Sequence, residues 1–347
     1  MIETVEGNPR AVLRSYPLQA PVVRGRNEVG IINDNWLVAD GASGEQYVLR
    51  AYRRVRDGGR IAFQLAFQEH LLAGGFPTAT IVRTRAGEAF ASVDGLHWAL
   101  FGFVEGQEFD FANLTQTREA GRRLAQFEAV ASSYSAPVVT PPVEEIDSGK
   151  WLAPVSSHVW RTSMLAEEHD ERLQELFAGQ GFEQELSFVS HWRRRGEEAW
   201  PQERLDALPQ AWLHCDYHGR NMVFQGDELV GLFDFDFVTR GPRIFDVGRG
   251  LFNFGRERRA SATLRGEFCR AFLDGYESVQ ELSEEERQAL PFMAVLNWVP
   301  DASFYAARQL EPGDPGIGGR FQLDVGMMRA MQAEMRRLSL QFAWKQP

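Results

Sequence analysis

The sequence predicts an α+β fold in two lobes, a small N-terminal antiparallel-sheet lobe and a larger, mainly helical C-terminal lobe. Strand-like segments with one helical segment among them occupy residues 1–104. Helical spacings of apolar residues dominate residues 105–347. The length of 347 residues suits two domains or one two-lobed unit. We therefore expect the lobes to meet after residue 104, within the sequence FVEG.

The N-terminal lobe is predicted to hold strands around one helix. The predicted strands are 22–31, 35–40, 45–52, 80–84 and 97–103. Apolar residues at helical spacing run from 60 to 74, where two glycines and a nearby proline end the helix. A turn is expected at 94–95, because Asp-Gly is a strong turn sequence.

The C-terminal lobe is predicted to be built from helices joined by loops. Helices are predicted at 160–177, 182–200, 264–276, 291–310 and 323–342. Asn113 with Gln116, and Ser283 with Glu286, resemble capping boxes and predict two further helix starts. Loops rich in proline or glycine are expected at 135–148 and 311–320.

Bulk composition favours a globular protein in a reducing compartment. The chain is 44% hydrophobic, lacks an apolar run long enough to span a membrane and begins without a secretory pattern. Cys215 and Cys269 make no metal-ligand spacing, so we expect a cytoplasmic protein. The net charge of −11 argues against a nucleic-acid partner. It is compatible with a cationic small substrate, although an acidic surface also serves solubility.

One predicted hairpin is flanked by residues suited to metal binding and proton transfer. Apolar runs at 222–224 and 229–233 surround a Gly-Asp turn. The flanking residues are His214, Asp216 and Asn221 before the first strand, and Asp234 and Asp236 after the second. Carboxylate and amide oxygens are the ligands that Mg²⁺ prefers. A carboxylate can also orient or deprotonate a hydroxyl that attacks a phosphate.

This stretch resembles the core shared by aminoglycoside phosphotransferases, choline kinases and type II homoserine kinases, which are relatives of protein kinases in fold. The family string is close to HGDLHPGN, then IDFD, then GP followed by DLA; here it stands as HCDYHGRN, FDFD and GPRIFDVG. The strand YVLR, a helix ending at GFP and the segment LFGFVEG agree as well. The resemblance covers about the whole chain and is strongest in residues 212–250. It implies a protein-kinase-like fold whose N-terminal lobe binds the nucleotide.

The resemblance implies roles for the residues around the hairpin. Asp216 would be the catalytic carboxylate, and Asn221 and Asp234 would hold Mg²⁺ on the nucleotide phosphates. Asp236 would be a further metal ligand or a contact to a cationic substrate. Asp246 and His214 would be structural and would hold the catalytic loop: these two are therefore expected outside the reacting set.

The resemblance also implies an ATP site in the N-terminal lobe. Arg50 stands where kinases commonly place a lysine on the third strand, and it would pair with the phosphates. The loop from Gly30 to Asn35 would cover the phosphates. Phe101 and Phe103, within 101–104, would line the adenine slot.

Three departures from the family pattern stand out. Cys215 replaces a usual glycine, and Gly-Arg at 219–220 replaces Pro-Gly. The helix after YVLR usually carries a glutamate that pairs with the third-strand base. Gln64 aligns there, and Glu69 is the nearest acid, so the partner of Arg50 is left open between them.

We therefore expect an ATP-dependent phosphotransferase acting on a hydroxyl of a small molecule: an amino alcohol, a homoserine-like amino acid or an aminoglycoside-like antibiotic. The alternatives are a protein Ser/Thr kinase of the bacterial stress-response type and a nucleotide-binding pseudokinase-like module. A third alternative is a hydrolase that uses the same carboxylates on Mg²⁺. Acceptor contacts are expected from 150–200 and 290–325, and the oligomeric state is left open. An aromatic set serves either an acceptor pocket or the core: Phe252, Phe254, Trp298, Phe304 and Tyr305.

Overall fold

The computed structural model describes residues 8–27, 33–53, 57–139, 178–179, 181–259, 261–298 and 320–342. Its strands are β1 (Val22–Asn27), β2 (Asp34–Ala39), β3 (Gln46–Tyr52), β4 (Ile81–Val82), β5 (Ala91–Val93), β6 (Leu96–Gly102), β7 (Gln210–Leu213), β8 (Met222–Gln225), β9 (Glu228–Leu232) and β10 (Thr239–Pro242). Its helices are α1 (Pro9–Val12), α2 (Gly58–Ala73), α3 (Leu114–Ala131), α4 (Glu183–Ala199), α5 (Gln202–Asp206), α6 (Ile244–Gly255), α7 (Gly266–Glu277), α8 (Glu284–Leu296) and α9 (Arg320–Phe342). The helix predicted at 160–177 and most of the loops predicted at 135–148 and 311–320 lie outside the described residues.

An antiparallel sheet forms the N-terminal part of the chain. Its order is β1-β2-β3-β6-β4, and β5 pairs with the first half of β6. Strand β5 was not predicted, because three residues are too few to show an alternation. The turn between β5 and β6 is confirmed: Asp94 and Gly95 both have positive φ, 52° and 72°. Two such residues form the hairpin turn whose twist matches that of the strands.

Helix α2 contributes to two hydrophobic cores, because apolar side chains surround it. Ile61 and Leu65 lie one turn apart and pack against the sheet. Phe63, Phe67 and Leu71 repeat at the same spacing on the other side and pack against the helices and loops that follow. The helix therefore joins the sheet to the C-terminal part of the chain.

Helices α3 and α7 pack backbone to backbone in the C-terminal part. A Cβ atom at Gly121 would lie 1.9 Å from the carbonyl oxygen of Phe272, and one at Gly275 would lie 1.9 Å from that of Arg118. Each glycine thus makes room for the facing helix. Helices α6 and α8 pack on the same core, which extends to the hairpin of β8 and β9.

The predicted capping box at the start of α3 is half wrong. Asn113 does cap the helix, since its side chain accepts from the backbone N–H of Gln116 at 3.1 Å. Gln116 does not return the bond. Its amide accepts from the N–H of Asp110 at 2.9 Å and donates to the carbonyl of Gly226 at 2.7 Å. The side chain ties the helix to the hairpin turn, a tertiary contact that outcompetes the local one.

The capping box at Ser283 and Glu286 is confirmed, and helix α8 runs from it straight through Pro291. The prediction that a separate helix begins at 291 is therefore wrong. A proline inside a helix removes one backbone hydrogen bond. Here the buried neighbours Leu290 and Met293 hold the helix in the core across that position.

The central hairpin, β8 and β9, is one of two small two-stranded sheets, and β7 and β10 form the other. Strands β8 and β9 pair as predicted around the turn at Gly226, which has φ of 59°. Strands β7 and β10, which were not predicted, pair antiparallel, with Leu213 opposite Thr239 and Gln210 opposite Pro242, and bring both ends of the hairpin region together. None of the helices in the described ranges combines the length and apolar character needed to cross a membrane.

Candidate active site

A loop at 214–221 between β7 and β8 forms the centre of the candidate site, and Asp246 anchors it. Asp246 lies in the first turn of α6 and is fully buried. Its carboxylate accepts from the backbone N–H groups of His214, at 2.5 Å, and Cys215, at 3.0 Å. Burial raises the pKa of Asp246 to about 6, against the lowering effect of these two bonds. Helix α6 thus holds the start of the loop.

His214 packs beneath the loop, as the resemblance implied. Its Nε2 lies 2.9 Å from the carbonyl oxygen of Phe233, and its Nδ1 accepts from the N–H of Asp216 at 3.2 Å. These contacts require the neutral ring with its proton on Nε2. Burial lowers the pKa of His214, which favours the same neutral form. The ring therefore braces the loop against the end of β9.

Cys215 adopts a left-handed backbone conformation, with φ of 63°. The resembling family usually has glycine there, and this region costs a non-glycine residue roughly 1–2 kcal/mol. The thiol is buried, and burial raises its pKa far above the ordinary range. It therefore stays a protonated, packed side chain. The bonds from Asp246 hold the loop in the shape that glycine would adopt without strain.

Donors surround both carboxylate oxygens of Asp216. Arg249 donates to Oδ1 at 2.9 Å, Asn221 donates to Oδ2 at 3.0 Å, and His218 Nε2 lies 3.3 Å from Oδ2. Burial on its own would raise the pKa of Asp216, but His218 and Arg249 hold it well below its usual range. The carboxylate is thus ionised at neutral pH. Such an acid orients a hydroxyl well but is a weak base.

Asp234 follows β9 and lies beside the end of the loop. The N–H of Phe233 donates to the carbonyl of Asn221 at 2.8 Å, so Asp234 follows directly on from that contact. Asp234 has φ of 68° and ψ of 66°, a left-handed conformation. Its side chain is 30% exposed, against 5% for that of Asp236. Of the two acids, Asp234 is the one open to a ligand.

Asp236 is occupied by contacts to the N-terminal sheet. Asn33 donates to Oδ2 of Asp236, and Arg50 donates to Oδ1 at 3.3 Å. Burial, with the neighbouring charge of Asp234, raises the pKa of Asp236 to about 6, while Arg50 opposes that rise. The structure thus places this predicted ligand in an interlobe contact.

Arg50 has a partner that the sequence did not indicate. It donates to Asp234 at 3.1 Å as well as to Asp236, and to the side chain of Asn35 at 3.1 Å. Gln64 instead donates to the backbone carbonyl of Asp236 at 3.1 Å. Glu69 pairs with Arg83. The question left open between Gln64 and Glu69 is answered by the two aspartates after β9.

The donor set near the loop fits a magnesium ion. The amide nitrogen of Asn221 faces Asp216, which leaves the amide oxygen for a metal. Asp234 adds a partly exposed carboxylate, and Mg²⁺ needs few protein oxygens when phosphates and water supply the rest. Nowhere among the described residues do three His, Cys, Asp or Glu side chains group as a metal site. Asn221 and Asp234 could hold a metal whose remaining ligands are phosphates and water.

Of the residues predicted for the nucleotide, Asn35, Arg50 and Phe101 lie on the adjacent strands β2, β3 and β6. Phe101 is 9% exposed, and the Arg50 guanidinium lies 6.0 Å from its ring centre. Phe103 is 42% exposed, and its N–H donates to the carbonyl of Gln46 at 3.1 Å. Gly30 lies outside the described residues. Phe103 is thus the more exposed of these two aromatic residues.

Three contributors to the site were missed in the sequence. Arg249 follows Asp246 by three residues, so both lie on one face of α6, and that spacing was a usable signal. Asn33 and Arg60 reach the segment after β9 from the N-terminal part, across 203 and 176 residues. No local pattern encodes contacts of that separation.

Sequence comparison identifies the family. The model of the phosphotransferase enzyme family matches residues 24–282. The homoserine kinase of Rhizobium etli (strain CIAT 652) is 30% identical over 268 residues, which cover 76% of this chain and 74% of that protein. The homoserine kinase of Rhizobium meliloti (strain 1021) is 29% identical over 269 residues, with coverage of 76% and 73%.

Solved structures share the fold. Amicoumacin kinase hAmiN, in complex with AMP-PNP, Ca²⁺ and Ami, superposes with a TM-score of 0.65 at 16% identity and covers 91% of each chain. A microcompartment-associated aminopropanol kinase gives 0.62 at 17% identity, covering 94% of this chain and 96% of its own. These likenesses establish a kinase-like α+β fold. With the family match over most of the chain, they lead to one conclusion: this chain belongs to the phosphotransferase enzyme family and is a small-molecule kinase.

Proposed function

We propose that the chain transfers the γ-phosphoryl group of ATP to the hydroxyl of a small hydroxy amino acid of the homoserine type. The observation that carries the proposal is the cluster of Asp216, Asn221 and Asp234 at one end of the central hairpin. The relatives described above are homoserine kinases, which supports this acceptor class. An amino alcohol or an aminoglycoside-like antibiotic is the alternative acceptor.

Asp216 is proposed as the catalytic residue that receives the acceptor hydroxyl. Its low pKa makes Asp216 a weak base, so its main task is to orient the hydroxyl. It would accept the hydroxyl proton only late in the transfer. Phosphoryl transfer passes through a loose transition state, in which positioning matters more than a strong base. Arg249 and Asn221 keep the carboxylate in one rotamer for that purpose.

Asn221 and Asp234 are proposed as the protein ligands of Mg²⁺. A bound Mg²⁺ would neutralise charge on the nucleotide phosphates and hold them in line with the acceptor. The contacts of Asp236 to Asn33 and Arg50 favour a different task for that acid. We propose that it holds the segment of Asn33 against the metal side of the site, and joins the ligands only if these contacts open.

ATP is proposed to bind between the N-terminal sheet and the central hairpin. Arg50 would exchange part of its contact with Asp234 for the phosphates, and Gly30 would belong to the covering loop. Asn35, predicted to end that loop, lies instead in strand β2, where it would help to orient Arg50. Phe101 and Phe103 would contact the adenine. We accordingly propose residues 1–104 as the nucleotide-binding lobe and 105–347 as the catalytic and acceptor-binding lobe, in a cytoplasmic protein.

An acceptor panel tests the proposed function. The protein is incubated with labelled ATP, Mg²⁺ and, separately, homoserine, 3-aminopropan-1-ol, choline or an aminoglycoside. We expect transfer to homoserine, and its loss in Asp216→Asn, which keeps the shape of the side chain. Transfer only to casein or to the protein itself would instead indicate a protein kinase. A thermal shift with ATP and no transfer to anything would indicate a binding module.

A further inference from the structure

A buried arginine on α2 is bonded to the segment that follows β9. Arg60 is 1% exposed, and its guanidinium donates to the carbonyl oxygens of Asp236 at 2.7 Å and Val238 at 3.0 Å. It also donates to the carbonyl of Val139 at 2.8 Å. Gln64, one turn later, adds a second bond to the Asp236 carbonyl. Helix α2 thus holds the backbone of this segment from one side.

The segment so held presents Asp234, the proposed metal ligand. Asp234 has a left-handed backbone, and a tight turn at Phe235–Phe237 follows it. A left-handed aspartate is tolerated but needs surrounding contacts to persist. The turn's own carbonyls point toward α2, where Arg60 and Gln64 satisfy them. The direction of the Asp234 carboxylate therefore depends on bonds made two and four residues further along.

These bonds take the place of an ion pair between β3 and α2, which the described residues do not form. Arg50 is bonded to Asp234 and Asp236, and the helix position that usually carries a glutamate partner is Gln64. An ion pair between β3 and α2 would couple that helix to the nucleotide phosphates. Here Arg60 and Gln64 of α2 reach the backbone after β9 instead. The position of α2 is linked to the backbone around Asp234.

We infer that Arg60 is a positioning residue for the proposed metal ligand Asp234, through the turn that it clamps to helix α2. The inference rests on the proposed function, since it assigns Asp234 to a metal. A guanidinium suits this task, because its fork reaches two carbonyl oxygens at once and it stays charged when buried. Removal of the fork releases the turn, and Asp234 then spends part of its time turned away from the ion.

Magnesium titration of nucleotide binding tests this role separately from catalysis. A fluorescent ATP analogue is bound to the whole protein at rising Mg²⁺ and, in parallel, with EDTA. For Arg60→Met, which keeps the stem and removes the donors, we expect the Mg²⁺ midpoint to rise about tenfold, as for a lost charged hydrogen bond. Binding with EDTA should stay unchanged. Gln64→Leu should shift the midpoint in the same direction by less.

Arg265→Met is the matched control. Arg265 also donates to two backbone carbonyls, those of Phe111 at 2.6 Å and Arg256 at 3.0 Å, but lies at the start of α7. It should lower the melting temperature without moving the Mg²⁺ midpoint. A midpoint unchanged in Arg60→Met, or moved equally in the control, overturns the inference.

Two further results bear on the role of Arg60. If Arg60→Met does not fold, Arg60→Lys takes its place, and a wild-type Mg²⁺ midpoint in that variant overturns the inference. Wild-type protein that binds nucleotide equally well with Mg²⁺ and with EDTA would refute the proposed metal site, and the inference with it. Such a result would leave the Arg60 contacts as fold contacts alone.

Discussion

Arg249 donates to the Oδ1 atom of Asp216 at 2.9 Å, and the two side chains are 13% and 18% exposed. Arg249 lies one turn after Asp246 on α6. A single helix therefore holds the loop backbone through Asp246 and the loop carboxylate through Arg249. Together with His218, the guanidinium keeps Asp216 ionised, beside the proposed position of the acceptor hydroxyl.

Substitution of Arg249 should reduce catalysis more than nucleotide binding. For Arg249→Gln we expect kcat to fall roughly 10- to 100-fold, the worth of one hydrogen bond to a charged group. The affinity for ATP without acceptor should stay within about twofold, since Arg249 contacts Asp216 on the proposed acceptor side. Arg118→Gln, which removes an exposed ion pair with Asp274, is the control. Equal losses in kcat and ATP affinity would contradict the assignment.

Asp234 and Asp236 should differ in their effect on magnesium. Asp234→Asn removes the more exposed acid, and we expect Mg²⁺-dependent nucleotide affinity to weaken roughly 10- to 100-fold. Asp236→Asn removes an acid already bonded to Asn33 and Arg50, so we expect a smaller shift in the Mg²⁺ midpoint. Isothermal titration at several Mg²⁺ concentrations measures both. Equal shifts would place Asp236 among the ligands.

The parts of the site that could be predicted were those whose residues follow a fixed spacing in the sequence. The hairpin, the loop that ends in Asn221 and the acid at Asp246 follow a fixed spacing, and the structure has the hairpin and the Asp246 contacts as expected. Turn chemistry at Asp94-Gly95 and the capping box at Ser283 were predictable for another reason, because each depends on residues within about one turn of each other.

The parts that escaped prediction depend on tertiary contacts. Gln116 stands at the position of a capping residue, yet its side chain donates to the carbonyl of Gly226 in the hairpin turn. Proline is typical of a helix start, yet helix α8 continues through Pro291 because the helix is packed in the core. Arg50 was expected to pair with a residue of the N-terminal lobe, but the carboxylates that it contacts belong to Asp234 and Asp236, which follow β9. In each case a distant group outcompetes the local partner.

Asp246 should set an acidic limit to activity. Its pKa is raised by burial to about 6, and only the ionised form offers both oxygens as full acceptors to the loop. Above pH 6 the loop is held, and below it one bond weakens. We expect kcat to fall below about pH 6, by up to about tenfold per pH unit. Rates at saturating substrates between pH 5 and 8 measure this, and activity constant across that range would contradict it.

Asp236 also has a pKa of about 6, so its variant separates the two acids. Asp236→Asn should retain the acidic limb if Asp246 is responsible. Asp246→Asn should lower kcat at every pH and remove the fall of kcat below pH 6, because an amide offers one oxygen whatever the pH. Loss of the limb in Asp236→Asn alone would assign it to Asp236 and refute the prediction.

Glu128 is a buried acid away from the site, at the contact between α3 and α7. It is 3% exposed, and its Oε2 accepts from the hydroxyl of Tyr276 at 2.6 Å and from Gln280 at 3.3 Å. Burial raises its pKa well above the ordinary value, although the Tyr276 bond opposes the rise. The folded state therefore binds this proton more tightly than the unfolded chain does.

The sign of the pH effect on stability follows from that difference. Because the folded pKa lies above the unfolded one, the stabilising contribution of Glu128 is fully present below about pH 4 and is lost as pH rises through the folded pKa. Glu128→Gln keeps an oxygen for Tyr276 and cannot ionise. We expect the melting temperature of the wild type, relative to this variant, to fall by a few degrees between pH 5 and 9, at roughly 2–4 °C per kcal/mol. Glu119→Gln on the same helix is the control, because its pKa is lowered by Arg122 and Arg123 against burial, so its effect should be constant over that range. A difference between wild type and Glu128→Gln that does not change with pH would show that Glu128 is ionised in the fold.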